Sequence, residues 1–206
     1  MWGFYFNELL HSLPFFLKGL WMTVAVSGLS LIAGSVIGFV CGIIRASGNK
    51  ILRFIIGAWV DLIRGTPFLV QIFIIFFILP SAGIELEAFP AAVIALTNLA
   101  ASFICEIVAG GILAVPSGQR EAATASGLSA YQQLRYIIMP QAMRTILPPL
   151  VGQYVLLVKD SSVVSVIGVV DITRVGWLTV QRIPEGLLVF GLVGLLYFVI
   201  CYPLIN

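Results

Sequence analysis

The run from Gly19 to Ile44 carries no charged residue, and a second uncharged run, Gly186 to Asn206, closes the sequence. A bilayer's hydrocarbon core is spanned by about 20 apolar residues in a helix. Both runs are long enough. Inside lipid every backbone polar group must be bonded within its own segment or in a closed barrel, so runs like these predict membrane-spanning helices. Composition agrees. Of 206 residues, 60% are hydrophobic and 10% charged, against about 25% charged in soluble domains. Eleven Lys and Arg with nine Asp and Glu cannot cover a soluble surface. A soluble enzyme and a disordered chain are excluded. The net charge of +2 is too small for a nucleic-acid binder.

No catalytic or metal centre is expected. Cys41, Cys105 and Cys201 all sit in apolar stretches, and His11 is the sole histidine. They form no spacing that ligates a metal or frames disulfides. Lys159 beside Ser161 and Ser162 hints at an intramembrane hydrolase, but no oxyanion-hole motif accompanies it.

Residues 1–18 mix aromatics with Glu8, His11 and Lys18, which predicts an interfacial segment. An extension of the first span is the other reading. Gly34, Gly38 and Gly42 stack on one face of that span, for packing within the subunit or for a dimer seam. A basic connector follows, with Arg45, Lys50, Arg53 and a Gly48-Asn49 turn. The second span is expected from Phe54 to about Pro80, kinked near Thr66 because Pro67 disfavours helix before it. Asp61 and Arg64 in it have the spacing of a helical ion pair. The third span runs from Pro90 to about Leu113 and carries Asn98 and Glu106. The fourth begins near Thr145 and holds Gln153, Lys159 and Asp160. Residues 171–185 read as a polar connector before the fifth span. Six basic residues in the first connector and in 115–144, against Lys18, Arg174 and Arg182 elsewhere, orient the N-terminus outside and the C-terminus in the cytoplasm. The whole, 1–206, reads as one all-α transmembrane domain with about five spans.

The stretch 115–144 predicts two short helices. Ser117 is placed to cap the first, Gly127 to close it in the left-handed conformation, and Ser129 with Gln132 to form a capping box for the second. Pro140 is expected to end or bend that helix. Such a slim elbow suits either docking into another protein or a purely structural turn.

Glu121-Ala122-Ala123, then Gly127, Ile137 and Met139-Pro140, resembles the EAA loop of ABC importer permeases. Arg64-Gly65-Thr66-Pro67 with Gln71, Gly118-Gln119, Pro140-Gln141-Ala142, Pro148-Pro149, Lys159-Asp160-Ser161-Ser162 and Ile167-Gly168-Val169 are similar to the polar amino acid uptake branch of that family. The likeness covers nearly the whole chain. Departures are Met139 for Leu, Phe103 for Tyr, and Ala109 for an Arg that would partner Glu106. The family also continues past the last span into a basic tail, where this sequence ends at Asn206.

The resemblance implies the type I importer fold in a bacterial inner membrane. It implies two ATPase subunits that bind ATP and Mg, since this chain has no P-loop and would carry no cofactor of its own. It further implies a second permease, the same chain or a paralogue, and an external solute-binding protein. Glu121, Ala122, Ala123, Gly127, Leu128 and Ser129 would contact the ATPase. Polar residues in the spans are the candidates for a polar amino acid substrate: Asp160 for an ammonium group, with Asn98, Gln71, Gln153, Thr66 and Ser161 supplying neutral hydrogen bonds. For Asp160 a pair with Lys159, and for Asn98 and Gln153 a helix-tying role, are the structural alternatives. Arg174, Arg182 and Trp177 either meet the solute-binding protein or anchor at the membrane surface. The competing function is an ion-coupled secondary carrier or channel for small polar solutes.

Overall fold

The computed structural model describes residues 2–47 and 49–205. Among these the ordered elements are all helical: α1 (Trp2–Arg45), α2 (Lys50–Arg64), α3 (Phe68–Phe73), α4 (Ala88–Leu113), α5 (Ser117–Ala125), α6 (Ala130–Gln132), α7 (Met139–Asp160), α8 (Ile172–Val180) and α9 (Gly186–Ile205). Four helical stretches are long and apolar enough to cross a membrane, five if α2 and the segment from Phe68 to Ala82 count as one broken span.

No break separates residues 2–18 from the first span. At 1.5 Å per residue α1 is roughly 66 Å long, about twice the hydrocarbon thickness, so part of it must project beyond the apolar layer. Asn49 starts α2, its Oδ1 accepting from the N–H groups of Ile51 and Leu52 at 3.1 Å each. Gly48 of the anticipated turn lies outside the described residues.

The anticipated kink at Thr66 is a full interruption. Helix α2 stops at Arg64, and α3 starts after Pro67. Pro67 offers no N–H, and its own carbonyl accepts from Val70 and Gln71. Gln71 then turns its side-chain amide back, donating to Thr66 O and Thr66 Oγ1 at 3.0 Å each. After α3 the chain continues as a wide π turn, Ile74–Ile78, and a 3-10 turn, Leu79–Ala82.

Two compact units emerge. The first comprises the stretch up to Ile32, Thr66–Thr97 and the chain from Tyr154 onward; the second comprises Ala33–Gly65 and Asn98–Gln153. In the first, Leu9, Phe16, Ile172, Val175, Ile183, Val189 and Val193 form an apolar core. The 171–185 connector is more ordered than its polarity suggested. Asp171, fully buried, caps α8 by accepting from Arg174 N–H at 2.8 Å and also accepts from Tyr197 Oη at 3.1 Å. Burial pushes this carboxyl above its ordinary value of 3.8, against the opposing pull of the bonds from Arg174, Thr173 and Tyr197.

In the second unit α1 and α4 approach closely. A Cβ on Gly38 would lie 2.7 Å from Ile104 Cβ, and one on Gly42 2.6 Å from Val108 Cβ. Two of the three stacked glycines are therefore used inside the subunit.

Candidate functional site

The elbow is built from local chemistry. Helix α5 begins after Pro116, so Ser117 is its first helical residue and no side chain caps it. This differs from the expected serine cap. Pro116, fixed near φ −54°, sets the entry without one. At the far end Gly127 sits at φ +74°, a region where a Cβ is strained. Ser129 and Gln132 form the anticipated capping box, with Ser129 N–H donating to Gln132 Oε1 at 2.8 Å and Ser129 Oγ accepting from Gln132 N–H at 3.4 Å.

The helix that follows is not short. Residues 133–138 form a π turn that leads straight into α7, so Pro140 does not end it. The wider turn accommodates a proline that lacks an N–H donor. The elbow is thus the leading end of a long helix.

Three side chains brace it. Arg120 Nη2 donates to Ile112 O at 3.0 Å, tying α5 to the end of α4. Gln133 Nε2 donates to Leu128 O at 2.8 Å and Thr124 Oγ1 at 3.2 Å. Gln141 Nε2 donates to Ile137 O at 2.8 Å and Gln119 Oε1 at 3.3 Å. Ala123 is buried and Leu128 half-buried, while Glu121, Ala122, Gly127 and Ser129 are exposed. The result is a braced knuckle of small exposed residues with a single carboxylate.

The span residues divide by what already holds them. Thr66 and Gln71 are bonded to each other across the interruption. Asn98 Oδ1 accepts from Trp59 Nε1–H at 3.0 Å, a tie between α4 and α2. Ser161, fully buried, donates its hydroxyl to Val158 O at 2.7 Å. Gln153 is buried on α7 without a hydrogen bond among the described residues. Asp160 ends α7, half-buried, where the helix tightens into the 3-10 turn Ser161–Ile167. It forms neither a hydrogen bond nor an ion pair among the described residues. In particular it does not pair with Lys159.

The ion pairs fall elsewhere. Glu106 on α4 is bonded by Arg45 at the end of α1 and lies 3.2 Å from Arg64 Nη1 at the end of α2. Arg64 also sits 5.2 Å from the centre of the Phe103 ring. This overturns two expectations. Arg64 does not pair with Asp61, and Glu106 does not lack a partner for want of an arginine at position 109. Helices α1 and α2 each end in an arginine that reaches Glu106, and a charge in an apolar span is met by a counter-charge. The sequence carried the signal, an acid inside a span, but not which arginine would meet it.

The family model described as "Binding-protein-dependent transport system inner membrane component" matches residues 34–205. The glutamine transport system permease protein GlnP of Escherichia coli K12 is 36% identical over 191 residues, 92% of this chain and 87% of that protein. The L-cystine transport system permease protein TcyB of Bacillus subtilis is 34% identical over 93% of this chain and 82% of its own length. Among solved structures, an amino acid ABC transporter crystallised with histidines superposes with a TM-score of 0.88 at 32% identity, covering 97% of this chain and 93% of that one. The MetNI methionine ABC transporter in an inward-facing conformation gives a TM-score of 0.78 at 25% identity, covering 92% and 91%.

Proposed function

The chain belongs to the family of binding-protein-dependent transport system inner membrane components, and on that premise we propose that it is the membrane-spanning subunit of an ATP-driven importer of polar amino acids. ATP and Mg are held by a separate pair of ATPase subunits. A second permease completes the path, and an external binding protein delivers the substrate. The N-terminus is outside and the C-terminus cytoplasmic, which puts the basic connector and the elbow on the cytoplasmic side.

The observation that carries this reading is the braced elbow. Its exposed residues, Glu121, Ala122, Gly127 and Ser129, form the ATPase contact, with Ala123 and Leu128 packed beneath. The amide and guanidinium braces make α5 move with the ends of α4 and α7, so a displacement at the contact reaches the spans as one body. Such a lever needs two discrete arrangements of the spans to act on. The same helix that begins at the elbow ends at Asp160, and this continuity gives the ATPase a direct route to that carboxylate.

Asp160 receives the ammonium group of the substrate. A carboxylate set at the end of an apolar helix with no counter-charge of its own is disfavoured until a cation arrives. Gln153, buried on α7, is a further candidate for a neutral hydrogen bond to substrate. Thr66, Gln71, Asn98 and Ser161 are already bonded within the protein and shape the path.

The test is Gly127→Pro in the complex with the partner ATPase. Proline is confined near φ −65°, against +74° here, so the elbow cannot keep its shape. Membrane insertion is expected to persist while ATP hydrolysis is uncoupled from uptake. Normal coupled uptake by that variant, or uptake by the wild-type chain without any ATPase, rules the reading out; the latter result would favour a secondary carrier.

A further inference from the structure

A cavity of about 510 Å³ in the second unit is lined by the ends of α1 and α4 and by one face of α2 from Arg53 to Asp61. Its volume is within the roughly 300–1,000 Å³ of small-molecule sites. Four charges face it: Arg45, Arg53, Asp61 and Glu106. Glu106 is satisfied by Arg45 and Arg64. Arg53 and Asp61 are left over, and neither side chain makes a hydrogen bond or ion pair among the described residues. Gly57 and Gly110 line the wall, and a Cβ on either would meet nothing within 4 Å. The space is open beside the two unused charges.

The charges are arranged in depth. Arg53 is near the start of α2 and Asp61 eight residues further along, about 12 Å at the helical rise. Both side chains line the same cavity, so a small molecule can lie between guanidinium and carboxylate. Asp61 lies within an apolar stretch, where an ionised group requires a cavity or a partner. The site therefore offers a planar fork for a carboxylate and, deeper, an anion for an ammonium group. A zwitterionic lipid headgroup carries the same two charges in the opposite order, with its anion deeper than its ammonium. The order here suits a free amino acid.

We propose that this cavity is a second amino acid site, holding the α-carboxylate on Arg53 and the α-ammonium on Asp61, and using none of the residues assigned above to the transport site. It rests on the proposed function in taking an amino acid as its ligand and in the orientation of the termini. On the orientation given above, it opens at the receiving side and binds substrate already delivered.

The experiment is equilibrium binding of radiolabelled L-glutamine and of L-arginine to the complex of this chain with its ATPase, in nanodiscs of phosphatidylcholine. In the Asp160→Asn background a binding component is expected to remain. Asp61→Asn or Arg53→Gln should raise its dissociation constant at least about tenfold, the loss of one charge-assisted contact. Asp61→Glu should restore it in part, which separates lost binding from lost folding. Absence of any component in Asp160→Asn, or a component indifferent to both Asp61→Asn and Arg53→Gln, overturns the proposal. So does loss of the component when phosphatidylethanolamine replaces phosphatidylcholine, which would assign the cavity to a headgroup. Failure of the proposed function reads differently: wild-type complex without ATP-driven uptake of any amino acid.

Discussion

Two acidic side chains sit on the long apolar helices at comparable exposure, yet their surroundings differ. Around Glu106, the ends of α1 and α2 each deliver an arginine, and Phe103 stacks under one of them. Asp160, at the end of α7, makes no side-chain hydrogen bond and no ion pair among the described residues. The first region has neutralised its charge and holds three helices together. The second has been left with a charge to satisfy. In an apolar helix the bonding state of an acid separates scaffold from site better than its residue type or its depth.

The sharpest way to break this contrast is Asp160→Asn. It removes the proposed charge-assisted contact to the substrate, about 1.5–3 kcal/mol, so KM for uptake should rise roughly ten- to a hundredfold with thermal stability unchanged. Glu106→Gln should do the reverse. It strands two guanidinium groups that are partly exposed, so the cost is about 1–2 kcal/mol rather than the 3–5 of a fully buried pair. A lower Tm in detergent with a wild-type KM is the expected result, and a changed KM with unchanged Tm would undo the comparison.

Gln71→Ala extends the contrast to neutral groups. Thr66 O and Oγ1 both accept from the Gln71 amide, and losing it should cost about 1 kcal/mol of stability. Substrate affinity should be little affected, since that amide is already engaged. The smallest effect is expected from Asp171→Asn. The buried carboxyl titrates above its ordinary 3.8, so the folded state holds this proton more tightly than the unfolded one. Stability should fall as pH rises from about 4 through the raised value and then level off. The asparagine variant keeps the cap to Arg174 N–H and should lose that pH dependence, as thermal melts across the acid range would reveal.

Much of this was legible in the sequence because membranes impose strict rules. The uncharged runs, the interruption at Thr66-Pro67, the left-handed Gly127 and the Ser129–Gln132 capping box all follow from local chemistry, and all are present. What was not legible depends on contacts between distant segments. Glu106 meets arginines 61 and 42 positions away, and nothing in the intervening sequence marks them as its partners. The i,i+3 spacing of Asp61 and Arg64 favoured a local pair, but Glu106 draws Arg64 away. Pro140 was expected to end or bend a helix; it does not end it, and the π turn just before it absorbs the missing donor. Asp171 looked like part of a solvated connector. Its burial depends on Tyr197 and on packing against α1 that no local pattern encodes.

The most direct measurement is ATP-dependent amino acid uptake by proteoliposomes containing this chain and its ATPase, comparing wild type, Asp160→Asn and Glu106→Gln after matching the amount of folded complex. Uptake is expected to be crippled in Asp160→Asn through a raised KM, with near-normal KM in Glu106→Gln despite its lower Tm. A wild-type KM in Asp160→Asn would contradict this.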